Sequence, residues 1–134
     1  MRTLIVLIVM LLLAGVAGTQ KTVSFSIVGG SMGAGAAGDA SIASRPGEID
    51  RLVFLGGSPS GPAEKLKSPA LFIVARDDSN DHGPRLPRIQ EQYKKALEPK
   101  ALIIFEGSAH AQYLFQTDQA ERVMREILKF LSAQ

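Results

Sequence analysis

The chain has 134 residues, of which 46% are hydrophobic and 21% are charged, a length that allows one modest domain. Fifteen basic and thirteen acidic side chains give a net charge of +2, and the basic residues are scattered, so no nucleic-acid-binding surface is predicted. Cysteine is absent, which excludes disulfides, thiolate metal sites and a cysteine nucleophile. With only two histidines, a multi-histidine metal site is not predicted, and no cofactor is predicted either.

The first eighteen residues have the pattern of a secretory signal peptide. A short basic start precedes an unbroken apolar run at residues 4–13, and small residues follow, with cleavage expected after Ala17 or Gly18. The apolar stretch is shorter than the roughly 20 residues that span a membrane comfortably. We therefore predict a secreted or periplasmic protein whose domain occupies residues 19–134. A retained membrane anchor and a core element of the domain are the alternatives.

Four apolar segments after this region predict the strands of a sheet. Residues 22–28 alternate and are rich in β-branched side chains. The other three segments, at residues 52–55, 69–75 and 101–105, are continuous rather than alternating. Continuous apolar runs are typical of strands buried on both faces, as in a parallel sheet.

Helical patterns lie between and after these segments. Asp118, with Glu121 three residues later, is expected to cap the last helix through a capping box. Strands that alternate with helices predict an α/β fold with a parallel sheet of about four strands and flanking helices. The apolar positions with helical spacing are Leu86, Ile89, Tyr93 and Leu97 in one segment, and Ala120, Val123, Met124, Ile127, Leu128 and Leu131 in the last.

A Gly-x-Ser-x-Gly motif follows the first predicted strand and includes Ser31 between Gly29 and Gly33. In this context the motif predicts a sharp strand-to-helix turn that presents a serine hydroxyl above the sheet, with glycines that avoid Cβ clashes. The turn would also place the backbone N–H of Met32 at a helix N-terminus, where it could stabilise an oxyanion. A glycine-rich turn without catalytic function is the alternative.

A serine nucleophile needs a base and a group that orients the base. His110 follows the fourth predicted strand, and Asp77 and Asp78 follow the third. The carboxyl ends of parallel strands meet at one edge of a sheet, so these side chains are expected to lie near Ser31. The other histidine, His82, lies in a polar loop and is predicted to be on the surface.

These three motifs, in this order, resemble the C-terminal half of an α/β-hydrolase of the dienelactone-hydrolase-like or esterase-like branch. The resemblance rests on residues 28–33, 69–78 and 106–110. It implies a truncated α/β-hydrolase fold and a Ser-His-Asp triad acting on esters. In the family, a glycine, two further residues and then the catalytic aspartate end this strand; Ala75 stands where that glycine would be, which favours Asp78 and leaves Asp77 as the alternative.

The chain also departs from this family. The family's earlier strands and its second oxyanion donor have no counterpart here, so the first strand is expected to be an exposed edge that a second copy of the chain could cover. The connection from Gly56 to Ser68 has thirteen residues, too few for a lid, which favours short-chain esters. A catalytically incompetent fragment that serves as an interaction or vestigial protein is the alternative function.

A second glycine motif overlaps the first. Residues 33–38 fit Gly-x-Gly-x-x-Gly, which in dinucleotide-binding proteins cradles a pyrophosphate. Four residues separate this motif from the end of the predicted strand, and the next strand ends in glycines rather than in an acidic residue. Both features argue against a dinucleotide site.

Overall fold

The structure, a computed structural model, describes residues 23–133. The predictions of a signal peptide, a membrane anchor or a core element at residues 1–18 concern residues outside this range. Within residues 23–133, no helix combines the length and the apolar character needed to cross a membrane.

Four parallel strands form the central sheet, as the sequence predicts. Strand β1 pairs with β2, β2 with β3, and β3 with β6, so β1 and β6 are the edges. A two-stranded antiparallel hairpin, β4 and β5, follows β3. The strands are β1 Ser26–Gly30, β2 Arg51–Leu55, β3 Ala70–Ala75, β4 Ser79–Asn80, β5 Gly83–Pro84 and β6 Lys100–Phe105.

Helices cover both faces of the sheet, which confirms the predicted α/β architecture. One buried cluster joins α1 and α2 to the sheet through residues such as Ala34 and Ile89. The other cluster packs α3 against the opposite face through Val123 and Ile127. The α-helices are α1 Met32–Ala43, α2 Leu86–Lys95 and α3 Ala120–Ser132, with short 3-10 helices at Ala63–Lys65 and Ala111–Gln116.

The central strands are buried on both faces. In β2, Leu52 and Phe54 face one cluster, while Val53 and Leu55 face the other. All six residues of β3 are buried. Strand β6 is only partly buried because it lies at an edge. The continuous apolar runs therefore predicted the parallel sheet correctly.

The first strand begins later than its alternating pattern predicts. Its ladder starts where Ser26 pairs with Arg51, the first residue of β2. Val23 and Phe25 precede this pairing and have exposed side chains. Alternation alone did not mark the start of β1, because the ladder begins only where β2 begins, at Arg51; before it, a single backbone hydrogen bond joins the Asp50 N–H to the Phe25 carbonyl at 2.7 Å.

Two predicted helix ends are wrong. Helix α2 ends at Lys95, so Leu97 does not join its apolar face and is 63% exposed; Pro99, which follows, cannot continue a helix. Helix α3 has Gln119 at its N-cap, without a side-chain cap, so Asp118 does not form the expected capping box. Instead, the Thr117 hydroxyl accepts a hydrogen bond from the Gln119 N–H at 3.2 Å and forms the turn.

Candidate active site

Ser31 occupies a sharp turn between β1 and α1. Its φ of 54° and ψ of −118° lie in a region that residues with a side chain rarely adopt. Two backbone hydrogen bonds hold the turn: the Ser31 N–H donates to the Leu55 carbonyl at 2.9 Å, and the Ala34 N–H donates to the Ser31 carbonyl at 3.0 Å. The sheet and the helix together therefore fix Ser31 in a strained conformation.

The two glycines of the Gly-x-Ser-x-Gly motif have different roles. A Cβ on Gly29 would lie 2.3 Å from the Gly33 carbonyl oxygen, so the turn requires glycine at this position. A Cβ on Gly33 would meet no described atom within 4 Å. The expectation that both glycines prevent clashes is thus correct for Gly29 and wrong for Gly33.

The overlapping Gly-x-Gly-x-x-Gly segment lies inside α1 and not in a loop before a helix. A Cβ on Gly35 would lie 2.5 Å from the Ser60 hydroxyl oxygen, and a Cβ on Gly38 would lie 2.3 Å from the Pro59 Cβ. These glycines therefore let α1 approach the segment after β2 closely. Packing accounts for the pattern that also suggested a pyrophosphate cradle.

Ser31, His110 and Asp78 form a continuous chain of hydrogen bonds. His110 Nε2 lies 2.9 Å from Ser31 Oγ, and His110 Nδ1 lies 2.7 Å from Asp78 Oδ2. The Asp78 side chain is 1% exposed, whereas that of His110 is 25% exposed. With the proton on Nδ1, the imidazole donates to Asp78 and can accept the serine proton on Nε2. The three residues follow the carboxyl ends of β1, β6 and β3.

The other two candidate residues lie outside this arrangement. Asp77 is exposed, and its backbone N–H donates to the Gly107 carbonyl at 2.9 Å. His82 is also exposed, in the hairpin, as the sequence predicts; its N–H donates to Asn80 Oδ1 at 3.1 Å. Of the two adjacent aspartates, Asp78 is therefore the one that contacts the histidine.

Three residues near the triad were not identified from the sequence. Arg85 Nε donates to Asp78 Oδ1 at 3.1 Å. Gly56 has a positive φ, and a Cβ there would lie 3.0 Å from His110 Nδ1 and 2.8 Å from the Ala111 nitrogen. Ala111 itself has a φ of 48°. The Gly-Gly pair after β2 was a usable signal for a close approach, whereas nothing in the sequence marked Arg85 or Ala111.

The region around Ser31 Oγ suits a developing negative charge. Met32 is the first residue of α1, and its backbone N–H has no acceptor within the helix. The first turn of α1 contains no acidic residue, so its partial positive charge is not neutralised locally. A cavity of about 350 Å³ adjoins Ser31 and is also lined by Gly56, Gly57 and Arg85.

An exposed ion pair lies at the same edge of the sheet. Arg76, after β3, donates to Glu106, after β6, at 2.9 Å. Hydrogen bonds from Arg76, and secondarily its charge, lower the pKa of Glu106, and Glu106 raises the pKa of Arg76 in return. Both groups are thus charged at neutral pH, and their opposite charges cancel each other.

Across residues 23–133, no three acidic or histidine side chains gather closely enough to hold a metal ion.

The structure is similar to the crystal structure of dienelactone hydrolase from Anabaena variabilis ATCC 29413, with a TM-score of 0.58 and 23% sequence identity. The match covers 78% of this chain but 46% of the other, so this chain spans less than half of that protein. No protein-family model matches the sequence, and a search of curated proteins gave no match. The likeness shows that the chain has part of an α/β-hydrolase fold.

The strain at Ser31 predicts an unusual order of stability for two variants. Ser31→Gly and Ser31→Ala both lack the hydroxyl, but only glycine relieves about 1–3 kcal/mol of backbone strain. Relative to alanine, glycine also lowers the stability by about 0.4–1 kcal/mol, because it increases the conformational entropy of the unfolded chain. Urea unfolding should therefore show Ser31→Gly to be more stable than Ser31→Ala by about 1 kcal/mol.

Ser44 provides a matched control for this comparison. Its φ of −73° is ordinary, so Ser44→Gly should be less stable than Ser44→Ala. If Ser31→Gly were also less stable than Ser31→Ala, the turn would not store the strain that we infer from its dihedral angles.

Proposed function

We propose that the protein is a serine hydrolase that acts on short-chain carboxylic esters through Ser31, His110 and Asp78. The observation that carries this proposal is the chain of hydrogen bonds, 2.9 Å and 2.7 Å long, that links the three side chains. It joins a nucleophile, a base and a buried carboxylate in the order that acyl transfer requires. The similarity in fold to a dienelactone hydrolase also supports the proposal.

The reaction would proceed through an acyl-enzyme. Ser31 Oγ attacks the ester carbonyl carbon while His110 Nε2 takes the hydroxyl proton, and the carbonyl electrons move onto the oxygen. The tetrahedral intermediate collapses, and the leaving alcohol takes the proton from His110. Water then attacks the acyl group with His110 again as base, which releases the acid and restores Ser31.

Two parts of the site would stabilise the charges that develop. Asp78 holds the imidazole in the required tautomer and stabilises the imidazolium that forms when His110 accepts the proton. The Met32 N–H, at the positive end of α1, would donate to the oxyanion. Each interaction strengthens as the transition state forms, so each would lower the barrier rather than merely bind the ester.

Ser31→Ala and His110→Ala should abolish hydrolysis of p-nitrophenyl acetate. The first removes the attacking oxygen, and the second removes the group that accepts its proton. We expect both to lower kcat/KM at least about 1,000-fold, since a triad loses most of its effect when either member is missing. Release of p-nitrophenolate by purified wild type and by each variant measures this.

A fluorophosphonate probe separates the enzyme from the catalytically incompetent alternative. The wild type should be labelled stoichiometrically at Ser31, as mass spectrometry of the labelled peptide would show, whereas Ser31→Ala should not react. An unlabelled and inactive wild type that is correctly folded would instead favour the interaction or vestigial protein.

The walls of the cavity favour small substrates. Glycine and serine predominate in its lining beside Ser31, including Gly35, Ser58 and Ser60. Met32 and Ile89 are its large apolar side chains, so it offers limited apolar surface to a long acyl chain. The connection from Gly56 to Ser68 contains one short 3-10 helix and forms no separate cap. The site would therefore accept short, water-soluble esters.

Activity should fall steadily as the acyl chain of p-nitrophenyl esters lengthens. We expect kcat/KM for the octanoate to be about tenfold or more below that for the acetate, because the added methylenes would remain in water and could not offset the cost of ordering the chain. A rising profile from acetate to octanoate would contradict the inferred pocket.

We also propose that a second copy of the chain covers β1. The order of the sheet leaves one flank of β1 without a described partner, and the side chain of Val28, in β1, is 48% exposed. An open strand edge with apolar side chains favours association. Because Ser31 directly follows β1, the same contact could supply a second oxyanion donor.

Light scattering after gel filtration should therefore give twice the mass of one chain. Val28→Lys should shift the population towards monomer, because a charge at an open strand opposes pairing. Lys65→Arg, on the exposed surface of a 3-10 helix, is a control that should leave the mass unchanged. A wild type that is monomeric at all concentrations would contradict the proposed pairing.

A further inference from the structure

Arg85 holds Asp78 by two independent contacts. Its backbone N–H donates to the Asp78 carbonyl at 2.8 Å, and its Nε donates to Asp78 Oδ1 at 3.1 Å. The Arg85 side chain is 22% exposed, so this pair lies mostly out of water. Asp78 Oδ2 is meanwhile engaged by His110, so each carboxylate oxygen has its own partner.

A buried carboxylate with one bonded oxygen would be unstable in this position. An unsatisfied, charged oxygen in the interior loses its hydration without replacement, and the carboxylate would rotate towards any donor that it could reach. Rotation about the last side-chain bond of Asp78 would turn Oδ2 away from His110. Arg85 opposes that rotation because it donates to the other oxygen.

We propose that Arg85 is a positioning residue for the triad: its Nε–H fixes the rotation of the Asp78 carboxylate and thereby the orientation of the His110 imidazole. The proposal rests on the proposed hydrolase function for its effect on catalysis. Its structural part, the link from Arg85 through Asp78 to His110, can be measured separately.

The backbone around Arg85 is well suited to this role. Arg85 directly follows the hairpin, in which Ser79 pairs with Pro84, and it immediately precedes α2. Its carbonyl accepts the Ile89 N–H at 3.0 Å, within the first turn of the helix. The Cα of Arg85 is thus anchored on both sides, so its side chain can act as a fixed donor.

The hydrogen bond and the charge of Arg85 have opposite effects on the reaction. The hydrogen bond aligns Asp78, whereas the positive guanidinium partly cancels the carboxylate charge that stabilises an imidazolium. If Arg85 acts through its hydrogen bond to Asp78, a neutral donor at the position of Nε should suffice. If Arg85 acts instead through its positive charge on Asp78, a cation without a donor at the position of Nε should suffice.

Three variants separate these effects. Arg85→Gln places an amide nitrogen at the position of Nε along the side chain and removes the charge. Arg85→Lys keeps a charge but places a methylene there. Arg85→Met has neither the donor nor the charge, at a similar length. With p-nitrophenyl acetate, we expect Arg85→Met and Arg85→Lys to lower kcat about tenfold or more with little change in KM, and Arg85→Gln to remain within about threefold of wild type.

Proton NMR gives a readout that does not depend on activity. An imidazole N–H that donates to a carboxylate is protected from exchange and resonates far downfield, and loss of the signal in His110→Ala would assign it. The signal should persist in Arg85→Gln and weaken or disappear in Arg85→Met. If the wild type shows the signal but hydrolyses no ester, the proposed function fails while the positioning role is still tested.

Arg45→Met is the matched control. Arg45 also pairs with a carboxylate, that of Glu48, but the pair is exposed and lies between α1 and β2, away from the triad. This variant should retain wild-type kcat and the downfield signal.

Unchanged kcat and an unchanged downfield signal in Arg85→Met would overturn the proposal, as would an Arg85→Lys variant whose kcat matches or exceeds that of Arg85→Gln. If Arg85→Met does not fold, the comparison of Arg85→Gln with Arg85→Lys still tests the proposal.

Discussion

The burial of the Asp78 carboxylate is the constraint that organises the site. A charge that is 1% exposed, directly after a fully buried strand, is tolerable only if both oxygens are hydrogen-bonded. The two partners come from separate segments: His110 from the connection after β6, and Arg85 from the start of α2. Burying this carboxylate therefore requires these segments to meet at the end of β3, so the contacts that align the imidazole also stabilise the fold.

Backbone strain is concentrated where this alignment is needed. Among residues 23–133, the non-glycine residues with positive φ are Ser31 and Ala111, and Ala111 directly follows His110. Hydrogen bonds to the sheet and within the 3-10 helix hold both positions, and Gly56 leaves the space that the imidazole occupies. The hydroxyl oxygen of Ser31 and the imidazole nitrogen of His110, which these two turns position, lie 2.9 Å apart.

The elements that the sequence predicted best are those whose burial leaves a strong pattern. Strands β2 and β3 are apolar on both faces, so their limits were within one residue of those predicted, and the placement of Ser31, Asp78 and His110 after strands followed. The start of β1 depends on where β2 begins to pair with it, and the alternating pattern of the β1 sequence carries no information about that position. The contact of Arg85 depends on a hairpin of two-residue strands without an apolar pattern, so only the folded chain brings it to Asp78.

If the proposed hydrolase function and the proposed pairing along β1 both hold, the position of Ser31 directly after an edge strand links catalytic rate to assembly. In the proposed mechanism the turn would supply one oxyanion donor, the Met32 N–H, and loss of a second donor typically lowers kcat about 100- to 1,000-fold. A segment lying along the outer flank of β1, which has no described partner, would be a source of a second donor. If one chain alone forms the site, a slow esterase is expected. If a neighbouring segment along β1 completes it, the rate should rise with protein concentration as the edge becomes covered.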